Sequence, residues 1–317
     1  MDLLNEIIKA EKRIRPYIDE TKLLFSPILS KMGDCKVYLK LENQQITGSF
    51  KIRGAMNSLI FLSSEKKKSE FVTASSGNHG AAFAYGVNKL GLKGTIFLPM
   101  NASLVKIDAL RKQKIRIELF GNDCVQTEAF ARNFANENMI DFISPYNDLN
   151  IVAGQGTIGI EIENQLGIPD YILAPVGGGG LISGIASYLK NKRKTVRIIG
   201  CQPENSPVMF ESIKANKIVD YESKSTLSDG TAGGIELGSI TFDLCKKYVD
   251  DYILVSEQEI KDALKLLYEE HNMIVEGAAV LSLASFIQQI NRFQGSTIVL
   301  IISGSKISHE KFMQIIS

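Results

Sequence analysis

Gly48-Ser49-Phe50-Lys51-Ile52-Arg53-Gly54-Ala55 is the most informative stretch of this 317-residue sequence. A turn is predicted at Gly48 and Ser49, and Ser49 is a candidate cap for a helix that begins near Phe50. Apolar residues then recur at helical spacing, at Ile52, Ala55, Met56, Leu59 and Ile60. Lys51 would thus stand in the first turn of a buried helix, where desolvation and the helix dipole both lower the pKa of its amine. A lysine whose neutral form is favoured can act as a nucleophile and as a base.

Three further turn-forming segments each follow a predicted strand. They are Ser75-Ser76-Gly77-Asn78-His79-Gly80, Gly177-Gly178-Gly179-Gly180 and Ser303-Gly304-Ser305. Ligands of open α/β sheets bind at the carboxyl ends of strands, where helix N-termini also point, so these segments could converge on one crevice. A lysine, a polar turn, a glycine run and a serine are the parts needed to hold pyridoxal phosphate. Together they point to an enzyme that acts on amino acids.

The glycine run is the stronger of the two loop signals. Four consecutive glycines are costly in chain entropy, so close backbone approach is expected, and their N–H groups at a helix start suit a phosphate. No Gly-Lys-Ser/Thr follows, which excludes a Walker A loop. Tight strand–helix packing alone is the competing explanation. For Ser75–Gly80, a capped helix start competes equally with a site for a substrate carboxylate.

The predicted fold is α/β, with mostly parallel sheets flanked by helices, because short β-rich runs alternate with helical patterns. The predicted strands are 37–41, 71–73, 95–98, 115–119, 171–173, 196–199 and 297–302. The predicted helices include 78–90, 122–138, 156–166, 180–192, 257–270 and 276–290. Gly154-Gln155-Gly156-Thr157 is expected to precede a helix as a loop with a threonine cap. Glu276 is expected to open the last of these helices, with or without a role near the site.

Composition narrows the class of protein. A net charge of +1 gives no electrostatic footprint for nucleic acid or an anionic membrane, and no run reaches the ~18 apolar residues of a membrane helix. Four well-separated cysteines and the absence of a signal-peptide pattern make a reducing cytoplasm the expected setting. No histidine or cysteine cluster has metal-ligand spacing, so no metal site is predicted.

Taken together, the segments resemble pyridoxal-phosphate enzymes of the tryptophan-synthase-β fold type, within it the threonine/serine dehydratase and serine racemase family. The resemblance runs from Phe25 to Ser305. Its most specific parts are Lys40–Gln45 with the lysine stretch, and the Ser75–Gly80 loop, supported by Ala153–Thr157. A later block, Asp229–Gly234 with Gly238–Phe242, looks like a subgroup associated with hydroxyectoine breakdown.

The resemblance implies two lobes with the active site between them. Residues 70–147 would form a smaller mobile lobe, and residues 1–69 and 148–317 a larger cofactor-binding lobe, without a C-terminal regulatory domain. It also implies a homodimer.

The resemblance further implies a cofactor site. Lys51 would carry the pyridoxal phosphate, and Phe50 would pack under its ring. Asn78 would bond the phenolic oxygen, Gly177–Gly180 would hold the phosphate, and Ser303 would contact the pyridine nitrogen. A serine cannot force protonation of that nitrogen as an aspartate would. Loss of a β-leaving group therefore suits the site better than transamination.

The substrate site is implied in the same way. Ser75, Ser76, Gly77, Asn78 and His79 would surround the substrate carboxylate. Ser76 would also lie on the face of the cofactor opposite the lysine, where a second proton carrier would stand.

Two positions depart from the family pattern. Several relatives bind a divalent cation through an acidic residue at the position of Gln202, and here Glu204 is the one nearby acid. The C-terminal motif of relatives is often Ser-Gly-Gly-Asn, whereas this chain has Ser303-Gly304-Ser305-Lys306. The serine is retained and the neighbouring turn is changed.

The expected reaction is removal of water and then ammonia from L-threonine or L-serine, with Lys51 as the base. Two alternatives within the same chemistry are a serine racemase that uses Ser76 as second proton carrier and a 3-hydroxyaspartate dehydratase. A non-catalytic ligand sensor is an alternative of another class, which an intact Lys51 disfavours.

Overall fold

The computed structural model describes residues 2–102 and 104–317. Within them, the strands in chain order are β1 (Leu23–Phe25), β2 (Lys36–Lys40), β3 (Glu70–Ala74), β4 (Lys93–Leu98), β5 (Arg116–Leu119), β6 (Asp141–Phe142), β7 (Tyr171–Pro175), β8 (Arg197–Pro203), β9 (Asp251–Val255) and β10 (Thr297–Ile301). The helices are α1 (Leu3–Ile14), α2 (Pro27–Gly33), α3 (Lys51–Ile60), α4 (Asn78–Leu90), α5 (Leu104–Arg111), α6 (Cys124–Glu137), α7 (Leu149–Leu166), α8 (Gly180–Lys192), α9 (Val208–Ala215), α10 (Ile240–Tyr248), α11 (Glu257–His271), α12 (Leu281–Gln288) and α13 (His309–Ile316).

The strands form two separate sheets. The larger sheet has the order β1-β2-β10-β7-β8-β9, in which β1 pairs antiparallel with β2 and the other neighbours are parallel. The smaller sheet has the order β5-β4-β3-β6 and is parallel throughout. The predicted α/β fold of mostly parallel sheets flanked by helices is confirmed. Because parallel strands end at the same edge, the loops that follow them lie together.

Both faces of the larger sheet are covered. Ile298 and Leu300 of β10 belong to one buried cluster, and Val299 and Ile301 belong to another on the opposite face. Successive side chains of a strand point to opposite faces, so this division requires helices on both sides. A continuous apolar run such as 297–302 is what a doubly covered strand needs, which is why the sequence marked it clearly.

The sequence missed three strands and misread one helix. β1 and β6 have three and two residues, too short for a recognisable pattern, and β9 is a short strand that begins with Asp251. The predicted helix 276–290 is instead a 3-10 turn, Gly277–Val280, followed by α12. The 3-10 turn begins at Gly277, where glycine is needed because a Cβ would lie 2.6 Å from the backbone carbonyl carbon of Leu227.

Gly154–Thr157 is not a loop before a helix, as the sequence suggested, but lies inside α7. Glycine is needed there for contact between helices. A Cβ at Gly154 would lie 2.6 Å from the Cα of Gly54 in α3, and one at Gly184 in α8 would lie 2.6 Å from the nitrogen of Gly156. These three helices therefore touch through their backbones, and α3, which carries Lys51, is seated directly on α7.

The proposed cap at Ser49 is also wrong. Helix α3 begins at Lys51 with Phe50 at the capping position, and no side chain caps it. The Ser49 hydroxyl is buried and has no hydrogen-bond partner in the described chain. An uncapped helix start beside a buried hydroxyl leaves polar groups for a ligand to satisfy.

Candidate active site

The turn before Lys51, Gly48–Phe50, and the C-terminal turn, Ser303–Ser305, are joined directly. The Phe50 N–H donates to the Ser303 carbonyl at 3.2 Å, and the Ser305 N–H donates to the Gly48 carbonyl at 2.9 Å. Between these bonds, Ser49 and Gly304 form an antiparallel bridge. Two segments about 250 residues apart in sequence thus form one wall, as their positions after β10 and before α3 allow.

Lys51 is partly buried in this wall. Its Nζ donates to the Pro145 carbonyl at 2.9 Å and lies 5.2 Å from the centre of the Phe50 ring. Burial lowers the pKa of Lys51 to about 8, against the opposing charges of Glu276 and Glu128. A pKa of about 8 leaves roughly a tenth of the amines neutral at pH 7, compared with less than about 0.1% for an ordinary lysine. Lys51 is thus favoured as a nucleophile and base.

Tyr146 connects the lysine to the glycine run. It follows Pro145, and a Cβ at Gly178 would lie 2.5 Å from Cδ1 and 2.6 Å from Cδ2 of its ring. The Glu236 N–H donates to the Tyr146 hydroxyl at 2.8 Å, and burial raises the pKa of that hydroxyl to about 12. No sequence pattern indicated a role for this residue, since a lone tyrosine after a proline is not distinctive. Close packing against Tyr146 is one reason for a glycine at position 178.

The glycine run opens α8. Gly179 occupies the capping position with φ +84°, and no side chain caps the helix. The Gly178 carbonyl accepts from the Thr241 hydroxyl at 2.5 Å, and the Gly179 carbonyl accepts from the Ser183 N–H at 3.0 Å. Because the carbonyls are used within the protein and the first N–H groups of a helix lack intrahelical acceptors, this end of α8 suits an anion.

The Ser75–Gly80 loop opens α4 and meets the C-terminal turn through Glu276. The Asn78 Nδ2 donates to both carboxylate oxygens of Glu276, at 2.8 and 3.0 Å, while the Asn78 Oδ1 is buried without a hydrogen-bond partner. Burial raises the pKa of Glu276, although the bond from Asn78 opposes the shift. Glu276 therefore lies in the site. The sequence had left its role open because an acid at a helix start is also a common dipole partner.

Ser75, Ser76 and Gly77 form the turn before α4 and are half-buried. The Ser75 hydroxyl accepts from the Gly77 N–H at 3.2 Å, so it shapes the turn. Gly80 is required here because a Cβ would lie 3.1 Å from the Ser75 carbonyl carbon and closer still to its oxygen. The loop is thus held in a tight turn with α4 behind it.

His79 points away from this loop. Its Nε2 donates to the Ile143 carbonyl, just beyond β6 of the smaller sheet, at 3.0 Å. Burial, reinforced by the charge of Lys51, lowers the pKa of His79 to about 3, so the ring is neutral. Any contact of His79 with a substrate carboxylate would come from its backbone N–H.

A buried charge cluster fixes the helix that carries Lys51. Arg53, fully buried, donates to Glu42 at 2.7 Å and to Glu161 at 2.7 and 2.8 Å, and Lys40 donates to Glu161 at 2.6 Å. Burial alone would raise the pKa of Glu161, but the two cations outweigh it and lower the pKa to about 2. Arg15 also bonds Glu161 at 2.7 Å and is paired with Glu11, so acids and bases balance across the cluster, and removing a buried member would strand a buried charge.

Gln202, which replaces the acidic residue of cation-binding relatives, is engaged within the protein. Its Nε2 donates to the Val176 carbonyl at 3.1 Å, and its Oε1 accepts from the Phe210 N–H at 2.8 Å. The amide thus ties β8 to the end of β7 and to α9. Across residues 2–102 and 104–317, no group of three histidine, cysteine or acidic side chains is placed to hold a metal ion.

The sequence matches the pyridoxal-phosphate dependent enzyme family over residues 14–304. The chain belongs to this family. Its predicted cofactor, pyridoxal phosphate, is thereby confirmed. No helix in the described part of the chain is long and apolar enough to cross a membrane.

Relatives in this family match nearly the whole of this chain. The L-threonine ammonia-lyase of Thermotoga maritima is 37% identical over 317 residues, which is all of this chain and 79% of that protein. The processed threonine deaminase isoform 2 of Solanum lycopersicum superposes with a TM-score of 0.93 at 30% identity, over 99% of this chain and 86% of that one. Maize serine racemase superposes with a TM-score of 0.91 at 32% identity, over 98% and 95%.

The residues present fit this cofactor. Lys51 offers an amine of lowered pKa, the uncapped start of α8 offers N–H donors for a phosphate, and the buried Asn78 carboxamide and Ser49 hydroxyl have polar atoms without partners. These groups lie on three segments that the contacts above bring together. Buried polar groups left unpaired in the protein alone are expected where a ligand completes the hydrogen bonds.

Proposed function

We propose that this protein removes water and then ammonia from a β-hydroxy amino acid, L-threonine or L-serine, to give a 2-oxo acid. The observation that carries the proposal is the position of Lys51, whose Nζ is bonded to Pro145 beside the glycine run. The names of the relatives, L-threonine ammonia-lyase and threonine deaminase, support the same reaction.

The cofactor residues are proposed as follows. Lys51 carries pyridoxal phosphate, and Phe50 packs beside it. The N–H groups of Gly177–Gly180 would take the phosphate, Asn78 would bind the phenolic oxygen, and Ser303 would contact the pyridine nitrogen. When bound, the cofactor supplies the electron sink that stabilises negative charge at the α-carbon. Glu276 accepts from the Asn78 Nδ2, which leaves the Asn78 Oδ1 as the atom that would accept a hydrogen bond from the phenolic hydroxyl.

Lys51 and the Ser75–Gly80 loop perform the proton transfers and the binding. The loop, with Asn78 and the His79 N–H, orients the substrate carboxylate, so that the α-hydrogen faces Lys51. The neutral Nζ removes that proton, and the resulting ammonium returns a proton to the β-hydroxyl, which leaves as water. The released enamine then hydrolyses to the 2-oxo acid and ammonia, and Lys51 is neutral again.

Assays with L-threonine, L-serine, D-serine and threo-3-hydroxyaspartate test the proposal. We expect 2-oxo acid and ammonia in equal amounts, fastest from L-threonine or L-serine. Measuring D-amino acid in the same tubes separates elimination from racemisation. A cofactor-loaded protein that turns over none of the four would contradict the proposal, and one that releases only D-serine from L-serine would make it a racemase.

Ser76→Ala should retain elimination from L-threonine and lose any racemisation of serine. Elimination needs one base, Lys51, whereas racemisation needs a second proton carrier on the opposite face, and a hydroxyl in the substrate loop is the proposed carrier. The ratio of D-serine to pyruvate formed from L-serine is the measurement. Ser75→Ala, one residue away, is the matched control and should leave that ratio unchanged. Loss of both reactions in Ser76→Ala with cofactor bound would assign Ser76 to substrate positioning.

Lobe movement and self-association complete the proposal. The Ser75–Gly80 loop, here called the substrate loop, follows β3 of the smaller sheet, and the glycine run follows β7 of the larger one. Residues 70–147 are therefore proposed as a lobe that closes on substrate. A homodimer acting in the cytoplasm is proposed as well. Exposed apolar side chains at the β1 edge of the larger sheet, Phe25, Ile28 and Met32, support self-association.

A further inference from the structure

We propose that Lys306 is a substrate-binding residue, whose ammonium holds the α-carboxylate of the amino acid against the Ser75–Gly77 turn. The inference rests on the proposed function, since it takes that turn as the carboxylate site. The motif of relatives often has asparagine at the position of Lys306. The lysine therefore adds a positive charge where the asparagine of those relatives is neutral.

Lys306 reaches from one lobe to the other. It lies five residues beyond the end of β10, the strand that pairs with β2 on one side and β7 on the other in the larger sheet. Its Nζ donates to the Gly77 carbonyl at 2.9 Å, and its backbone N–H donates to Glu276 at 3.1 Å. The side chain is half-buried. Its charge is therefore delivered to the turn that opens α4, from the opposite side of the cleft.

The charges around the turn explain why a cation is needed. Glu276 is only 7% exposed, and this burial is the main cause that raises its pKa. The hydrogen bond from Asn78 opposes the rise, and the charge of nearby Asp229 adds to it. Glu276, which is bonded to Asn78 and Lys306, and the nearby exposed Asp229 thus bring acidic groups close to the turn, and His79 is neutral. The ammonium of Lys306 acts against these acidic groups and would attract an anionic carboxylate.

The position of the ammonium points to the same role. A cation beside the start of a helix is opposed by the helix dipole, so Lys306 is unfavourably placed with respect to α4 alone. A carboxylate between the ammonium and the uncapped N–H groups of α4 would interact favourably with both. The substrate carboxylate thus completes an arrangement that Gly77 and Lys306 begin.

Titration of the holoenzyme with two amines tests the inference. L-alanine has the α-carboxylate but no β-leaving group, and ethylamine is the same molecule without the carboxylate. Binding of each is followed by the change in cofactor absorbance. We expect Lys306→Met to weaken L-alanine by about ten- to hundredfold, the effect of losing a hydrogen bond to a charged group, and to change ethylamine by less than about twofold. The KM for L-threonine should rise by a similar factor.

Three variants serve as controls. Lys306→Arg keeps the charge and should retain most of the L-alanine affinity. Lys311→Met removes an exposed lysine of α13 and should match the parent. Lys306→Gln provides a second neutral variant if the methionine variant does not fold.

Two results would overturn the inference. Equal weakening of L-alanine and ethylamine would make Lys306 a link between the lobes, and unchanged L-alanine affinity would remove it from the site. A parent protein that binds L-alanine but does not turn over L-threonine would contradict the proposed reaction, while the difference between the two amines would still report on Lys306.

Discussion

We expect Lys51→Ala to lower the rate of 2-oxobutanoate formation from L-threonine by at least about ten-thousandfold, because the base and the covalent anchor are lost together. The borohydride-reducible link between protein and cofactor should disappear in the same variant. Both losses follow from the burial that favours the neutral amine of Lys51. Oxo-acid assay and peptide mapping after borohydride reduction measure them.

Lys89→Ala is the matched control for this variant, since Lys89 is an exposed lysine of α4. It should keep parental activity and the reducible link. A reduced cofactor adduct on any other lysine of the parent protein would show that Lys51 is not the anchor. Persistence of elimination in Lys51→Ala at more than a few per cent of the parental rate would assign the base to another residue.

Gly178→Asp should weaken cofactor retention by about a hundredfold or more, while the protein stays folded. A side chain at this position displaces the Tyr146 ring, which lies within 2.6 Å of a Cβ there. The added carboxylate also repels the phosphate, an effect of about 1 to 4 kcal/mol per unit charge at 4 Å in partly solvated surroundings. The dissociation constant of the cofactor and the melting temperature are measured together.

Gly178→Asn separates these two causes. Asparagine has nearly the same shape as aspartate, so it should displace Tyr146 equally but bind cofactor at least about tenfold more tightly than the aspartate variant. Equal cofactor affinity in the two variants would remove charge repulsion as a cause. Parental affinity in both would mean that the glycine run serves packing against Tyr146 alone.

Much of the fold was predictable because it depends on local patterns. The helices 78–90 and 180–192 were predicted with the bounds that α4 and α8 have, since both follow a strand and a turn. The segment Gly154–Thr157 was misread because its glycines have a reason that lies elsewhere in the chain. They permit contact with Gly54 and Gly184, and no pattern within the segment reports on those partners.

The candidate site shows the same limit. Lys51, the glycine run and the substrate loop carry motifs that are recognisable in sequence. The hydrogen bonds that join these segments cannot be recognised in the sequence, because their partners are far apart in the chain. Asn78 and Glu276 are separated by 198 residues, and Lys51 and Pro145 by 94. Pairings of this kind are set by the packing of the two sheets. The roles of Tyr146 and Glu276 therefore became visible only when the segments were placed together.

The contact of Tyr146 with Gly178 has a thermodynamic consequence. Tyr146 lies in the connection from β6 to α7, where the chain passes from the smaller sheet to the larger one. Moving this connection changes the surface that the glycine run presents to the cofactor. Under the proposed lobe closure, lobe position and cofactor affinity would be coupled, and linkage would make the coupling reciprocal. If bound cofactor shifts the equilibrium toward one lobe position by a given factor, that lobe position raises the affinity for the cofactor by the same factor. Selection for firmer cofactor retention in this chain would then also act on how readily the proposed lobe opens.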